Sequence, residues 1–143
     1  YIREQFEAEV HTLYKYKHEN LCTLLAHSID SPNRCLVYEL CHNGSIYERL
    51  HNHTLPPLTW PQRLGLAIGA TKALVFLHTQ SPPAVHRDIK SPNILITSDY
   101  EAKVSDFGTM REMTTQRTSG AGGAATSMHT QQIIGTHHYV SSL

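Results

Sequence analysis

The octad His86-Arg87-Asp88-Ile89-Lys90-Ser91-Pro92-Asn93, followed by Asp106-Phe107-Gly108, constrains this chain more than any other feature. Asp106 lies 13 residues after Asn93. Between them, Ile94–Thr97 and Lys103–Ser105 are short β-rich pieces around a polar turn, which reads as a hairpin. Polar strings this specific, at set spacing, exceed what an ordinary surface turn requires. Two carboxylates, one carboxamide and two cations then flank one hairpin.

Composition narrows the class. Over 143 residues, Lys plus Arg is 12 and Asp plus Glu is 12, so the formal charge is zero. A general nucleic-acid binder usually carries a basic face, and an acidic disordered tail is equally excluded. Apolar residues reach 40% and charged residues 17%, a globular balance. The three cysteines, Cys22, Cys35 and Cys41, give neither a disulfide framework nor a C-x-x-C pair, and read as reduced and intracellular. No apolar run is long enough to span a bilayer, and no signal-like leader opens the chain. His51-x-His53 and His137-His138 lack the spacing and acidic partners of a transition-metal site, and read as solvated loop histidines.

Periodicity places the elements. Arg3 to Lys17 reads as a helix, with Phe6, Val10, Leu13 and Tyr14 on one face. Leu21–Ile29 and Cys35–Leu40 read as a strand pair around the turn Asp30-Ser31-Pro32-Asn33. Ser45 opens a short helix, with Glu48 completing a capping box. His51 to Leu58 is a loop. Thr59 caps a long helix from Trp60 to about Thr79, with Gln62 at the matching position and Pro61 in the first turn. Leu64, Ile68, Thr71, Val75 and His78 are expected to form its buried stripe. From Thr109 to Thr130 the chain is rich in Ser, Thr, Gly and Ala, and is expected to be mobile.

On its octad and Asp-Phe-Gly triplet, almost the whole chain resembles a eukaryotic protein kinase, whose catalytic loop follows H-R-D-L-x-x-x-N. That resemblance implies an α+β, two-lobed protein-kinase-like fold and transfer of the ATP γ-phosphate to protein Ser or Thr hydroxyls. Asp88 is then the base beside the substrate hydroxyl. Asn93 and Asp106 supply hard oxygen ligands for Mg²⁺. Lys90 reaches the γ-phosphate and marks serine/threonine specificity. Arg87 places the chain among kinases controlled by phosphorylation of the activation segment, with Thr126 and Thr130 the favoured sites.

Further offsets extend the resemblance. Phe6-Glu7-Ala8-Glu9-Val10, then His18-Glu19-Asn20-Leu21, is similar to helix C and the strand after it. Glu9 is the acid that pairs with the ATP-binding lysine, with Glu7 the alternative if the register slips. Tyr38 takes the gatekeeper position, and the backbone of Glu39 and Cys41 holds adenine at the hinge. Leu95 forms the apolar floor beneath it. Leu13, Leu24, His86 and Phe107 fall on the regulatory spine. L-V-Y-E, N-G-S and T-W-P-Q-R resemble the interleukin-1-receptor-associated, Pelle and plant receptor-like branch, with mixed-lineage kinases an alternative.

The sequence holds no G-x-G-x-x-G loop and no V-A-I-K lysine, and no A-P-E follows Tyr139. The expectation is therefore a truncated kinase domain, a central slice of a longer protein that begins here at Tyr1. Residues 1–38 would be N-lobe, 39–44 hinge, and 45–143 upper C-lobe with activation segment 106–143. The slice alone is expected to be inactive; a non-catalytic, pseudokinase-like interaction module is the alternative function. Expected partners are ATP and Ser/Thr-bearing proteins, without nucleic acid or membrane insertion. The expected location is cytoplasmic, with any membrane anchor elsewhere in the parent protein.

Overall fold

The computed structural model describes residues 2–29 and 34–113, apart from the side chains of residues 2–5 and 8. The turn expected at Asp30–Asn33, the favoured phosphorylation sites and His137-His138 lie outside the described residues.

Helix α1 spans Ile2–Lys15. Leu13 is buried, while Phe6 and Val10 are half-buried. Tyr14, expected on the same face, is exposed and stacks edge-on against His27 instead. Strands β1 (Leu24–Ser28) and β2 (Cys35–Tyr38) pair antiparallel, with a register irregularity between Leu24 and Ala26.

Helix α2 (Ile46–His51) starts at the foreseen capping box. The Glu48 N–H donates to Ser45 Oγ at 3.2 Å, and the Ser45 N–H donates to Glu48 Oε2 at 2.7 Å. Gly44 turns the chain into this helix at φ +68°, where a Cβ would stand 2.5 Å from that same carboxylate oxygen. Only glycine suits both demands. Thr59 and Gln62 cap α3 (Trp60–His78) in the same reciprocal way.

The expected buried stripe of α3 is overturned. Leu64, Ile68 and Val75 are 50–55% exposed, and Thr71 and His78 are exposed too. The buried face carries Leu66, Gly69, Ala70, Ala73 and Leu77. Its small residues let the β4–β5 hairpin approach the helix backbone, which bulkier side chains would prevent. At Gly69, a Cβ would sit 2.9 Å from Asn20 Nδ2 and 3.1 Å from Ala102 Cβ.

Strands β4 (Ile94–Ile96) and β5 (Ala102–Val104) form that hairpin. Residues 20–22 lie along β5: the Val104 N–H donates to the Asn20 carbonyl and the Cys22 N–H to the Val104 carbonyl, both at 2.8 Å. One apolar cluster joins α1, the β1 start, α3 and the hairpin, with Leu13, Leu24, Leu77, Val104 and Phe107 at its centre. Leu13, Leu24 and Phe107, three of the four residues expected on the spine, belong to it, and the ring of the fourth, His86, stands edge-on to Phe107, centroids 5.4 Å apart.

Strand β3 (Ala84–Val85) pairs with β6 (Arg111–Glu112). This corrects the expectation of mobility for Thr109–Met113, while residues 114–130 of that stretch lie outside the described residues. Met110 is buried, Thr109 Oγ1 donates to the His86 carbonyl at 2.9 Å, and the Met113 N–H donates to the Pro83 carbonyl at 2.7 Å. The segment is ordered by distant backbone partners rather than by an apolar face of its own.

Candidate active site

The octad residues Asp88 and Asn93 are brought together across a 3₁₀ turn at Ser91–Asn93 that leads into β4. Asn93 is buried, and its Nδ2 donates to the Asp88 carbonyl at 2.9 Å and to Asp88 Oδ2 at 3.0 Å. Lys90 Nζ lies 2.7 Å from that same Oδ2. Two donors on one oxygen fix the carboxylate in place. Asn93 Nδ2 also reaches Asp106 Oδ2 at 3.4 Å, so the hairpin brings both carboxylates to one amide nitrogen.

Backbone geometry supports this. Arg87 has φ +68° and Asp106 φ +65°, both in the left-handed region that side chains rarely occupy. Sequence reasoning missed Ser105, whose N–H and hydroxyl both donate to the Asn93 carbonyl, at 2.9 and 3.1 Å. The hairpin register, which places residue 105 opposite residue 93, was the signal that could have found it. Ser105 also offers its carbonyl to His86 Nε2 at 3.0 Å.

Arg87 Nε donates to the Thr109 carbonyl at 2.7 Å. Its Nη2 is buried without a hydrogen-bond partner among the described residues. Burial, together with the charge of Arg111, lowers the Arg87 pKa.

Of the two glutamates weighed on α1, Glu9 faces inward, and its Oε1 accepts the Tyr38 hydroxyl at 2.9 Å. Glu7 is exposed and lines the outer face of the helix with Tyr14 and His27. Burial pushes the Glu9 carboxyl up; the Tyr38 bond opposes this, and the charge of Asp106 adds to it. Burial, reinforced by Glu9, raises the Tyr38 phenol in turn.

After β2, the Glu39 N–H donates to the Thr23 carbonyl at 3.0 Å. The Glu39 side chain is braced by Lys103 Nζ at 3.0 Å and the Thr23 N–H at 2.7 Å, a role sequence reasoning had not assigned to Lys103. Lys103 pairs across the hairpin with half-buried Leu95, which also bridges to Ser45. Cys41 is half-buried.

Among the described residues, no group of three or more His, Cys, Asp and Glu side chains forms a metal cage. The donor set of Asn93 and Asp106 still fits Mg²⁺, which takes few protein oxygens and completes its shell with water and phosphate. Asp106 electrostatically disfavours charge on Glu9, so the local field favours a cation.

A sequence profile described as protein tyrosine and serine/threonine kinase matches residues 2–130. The chain is 41% identical over 143 aligned residues to a probable receptor-like serine/threonine-protein kinase of Arabidopsis thaliana, covering 96% of this chain and 31% of that protein. It is 47% identical over 111 residues to the receptor-like serine/threonine-protein kinase ALE2 of Arabidopsis thaliana, covering 77% of this chain and 14% of that protein. It is 36% identical over 143 residues to interleukin-1 receptor-associated kinase 1 of Bos taurus, covering 97% of this chain and 20% of that protein. The chain therefore spans between 14% and 31% of the length of these relatives.

Proposed function

The chain belongs to the protein tyrosine and serine/threonine kinase family, and on that premise we propose that the full-length protein transfers the γ-phosphoryl group of ATP to protein Ser and Thr hydroxyls. The observation that carries this reading is the meeting of Asp88, Asn93 and Asp106 around one carboxamide.

Asp88, oriented by Lys90 and Asn93, accepts the proton of the substrate hydroxyl. Lys90 also faces the transferring phosphoryl and neutralises its charge. Asn93 and Asp106 would hold Mg²⁺, which would supply charge neutralisation on the phosphates. The hinge carbonyl of Glu39 and the N–H of Cys41 take the adenine edge, above Leu95. Glu9 positions the ATP-binding lysine of the family, and Tyr38 limits the depth of the adenine pocket.

In this reading residues 1–38 belong to the N-lobe, 39–44 to the hinge and 45–143 to the upper C-lobe, with the activation segment from Asp106. A phosphate on that segment, at Thr126 or Thr130, would pair with Arg87, whose buried Nη2 and lowered pKa both favour an added anion. No helix among the described residues is long and apolar enough to cross a membrane. The reaction is assigned to the cytoplasm, where ATP is available. Several relatives are named receptor-like kinases, which supports a membrane anchor elsewhere in the full-length protein.

The test is phosphoamino-acid analysis after incubating the full-length protein with γ-labelled Mg-ATP and a mixed protein substrate. Labelled phosphoserine and phosphothreonine are expected. Phosphotyrosine alone overturns the specificity, and no label overturns the activity.

A further inference from the structure

Helix α1 carries Glu9 to the site, and β6 begins the segment that follows Gly108. One carboxylate joins them. The Tyr16 hydroxyl, just past the end of α1, donates to Glu112 Oε1 at 2.6 Å, and Lys15 Nζ pairs with the same oxygen. Tyr16 is 5% exposed and packs in the apolar cluster with Leu13 and Phe107. Its hydroxyl is therefore aimed by the core rather than by solvent. Glu112 in turn is fixed by the pairing of β6 with β3 and by the Met113 to Pro83 bond beside it.

An exposed Lys–Glu pair alone does little. A hydrogen bond from a buried phenol to a carboxylate is stronger and directional. Glu9 lies six residues before Lys15 on one rigid helix, about 9 Å along its axis. Movement at the α1 end is therefore passed to Glu9.

We propose that Glu112 is a positioning residue: by holding Tyr16 and Lys15 it sets α1 so that Glu9 stands against Tyr38 and Asp106. The inference rests on the kinase reading for its effect on rate, but not for its effect on structure. Glu112 touches no reacting atom. It ties the start of the activation segment to the helix that carries the ATP-positioning acid, so disorder at β6 loosens both.

The experiment uses the full-length protein carrying Glu112→Ala, Glu112→Gln, Tyr16→Phe or the exchanged pair Lys15→Glu/Glu112→Lys. It reads amide hydrogen exchange over residues 9–16 and 111–113, together with kcat and KM for ATP. Glu112→Ala should raise exchange in both segments and lower kcat/KM by about tenfold. Glu112→Gln, which keeps an acceptor for Tyr16, should retain more activity than Glu112→Ala. The exchanged pair should recover part of the loss. Tyr16→Phe removes one hydroxyl without opening a cavity, so it reports on the clamp even if a Glu112 variant misfolds. Faster exchange at 111–113 with residues 9–16 unchanged, in both Glu112→Ala and Tyr16→Phe, overturns the proposal. A wild-type protein without transfer activity, but with coupled exchange in the variants, supports the clamp and removes the kinase reading instead.

Discussion

His86 Nδ1 accepts the Asp88 N–H at 3.3 Å, on a ring whose Nε2 lies 3.0 Å from the Ser105 carbonyl. A carbonyl only accepts and an amide N–H only donates. The ring is therefore neutral, with its hydrogen on Nε2, and both nitrogens are used. Burial lowers the His86 pKa, and the Ser105 carbonyl and the two aspartates oppose this only in part. Protonation would place a second hydrogen on Nδ1, against the Asp88 N–H.

The pH dependence follows. A histidine whose folded pKa is depressed contributes stability that is present above its unfolded value, near 6.5, and lost as pH falls through the folded value. The melting midpoint of the kinase domain should fall on acidification below about pH 6.5. His86→Asn, whose amide can also accept and donate, should flatten that limb. Melts recorded from pH 7.5 downward check this. Identical acid limbs in wild type and variant would contradict the assigned ring state.

Two glycines on α3 should respond to alanine with opposite signs. Gly65 has open space where its Cβ would go, so Gly65→Ala should stabilise by about 0.5–1 kcal/mol through helix propensity. At Gly69 the new methyl meets Asn20 Nδ2, which is itself bonded to the Ala102 carbonyl at 2.9 Å. Overpacking there should outweigh the propensity gain, for a net loss of about 1–2 kcal/mol. Thermal midpoints of the two variants decide it, and equal stabilisation by both would mean that α3 does not pack closely on the hairpin.

The cysteines should react in a fixed order. Cys22 is buried, and burial followed by the neighbouring Cys41 and Glu39 pushes its thiol up to about 12. Burial raises Cys41 as well, while Cys35 is exposed on β2. The thiolate is the reactive form, so iodoacetamide at mildly alkaline pH should label Cys35 first, Cys41 more slowly and Cys22 last. Peptide mapping over time measures the order. Early labelling of Cys22 would show that the segment along β5 opens readily.

What the sequence made legible was local chemistry. Ser45 with Glu48 and Thr59 with Gln62 announce their helices because both halves of each cap lie within four residues. The octad and Asp106 announce a site because one hairpin joins them. The burial of α3 was misread because the helix is apolar on several sides. Periodicity alone favoured the larger Leu64, Ile68 and Val75 over the small face that the hairpin requires. The order at Thr109–Met113 was missed because its partners, Pro83 to His86, lie more than 20 residues earlier and bond through backbone groups that carry no residue signature. The choice between Glu9 and Glu7 needed the helix phase against Tyr38, and only the pairing of β2 with β1 supplies that.

In the proposed function, Asp106 and Asn93 together hold the metal for phosphoryl transfer. The most direct measurement is the turnover of the full-length protein with Asp106→Asn, beside wild type, at saturating ATP over a range of Mg²⁺ concentrations. The substitution keeps size and shape and removes one anionic ligand. The expected result is a loss of turnover of about a hundredfold or more. Undiminished turnover at every Mg²⁺ concentration would contradict the assignment of this site.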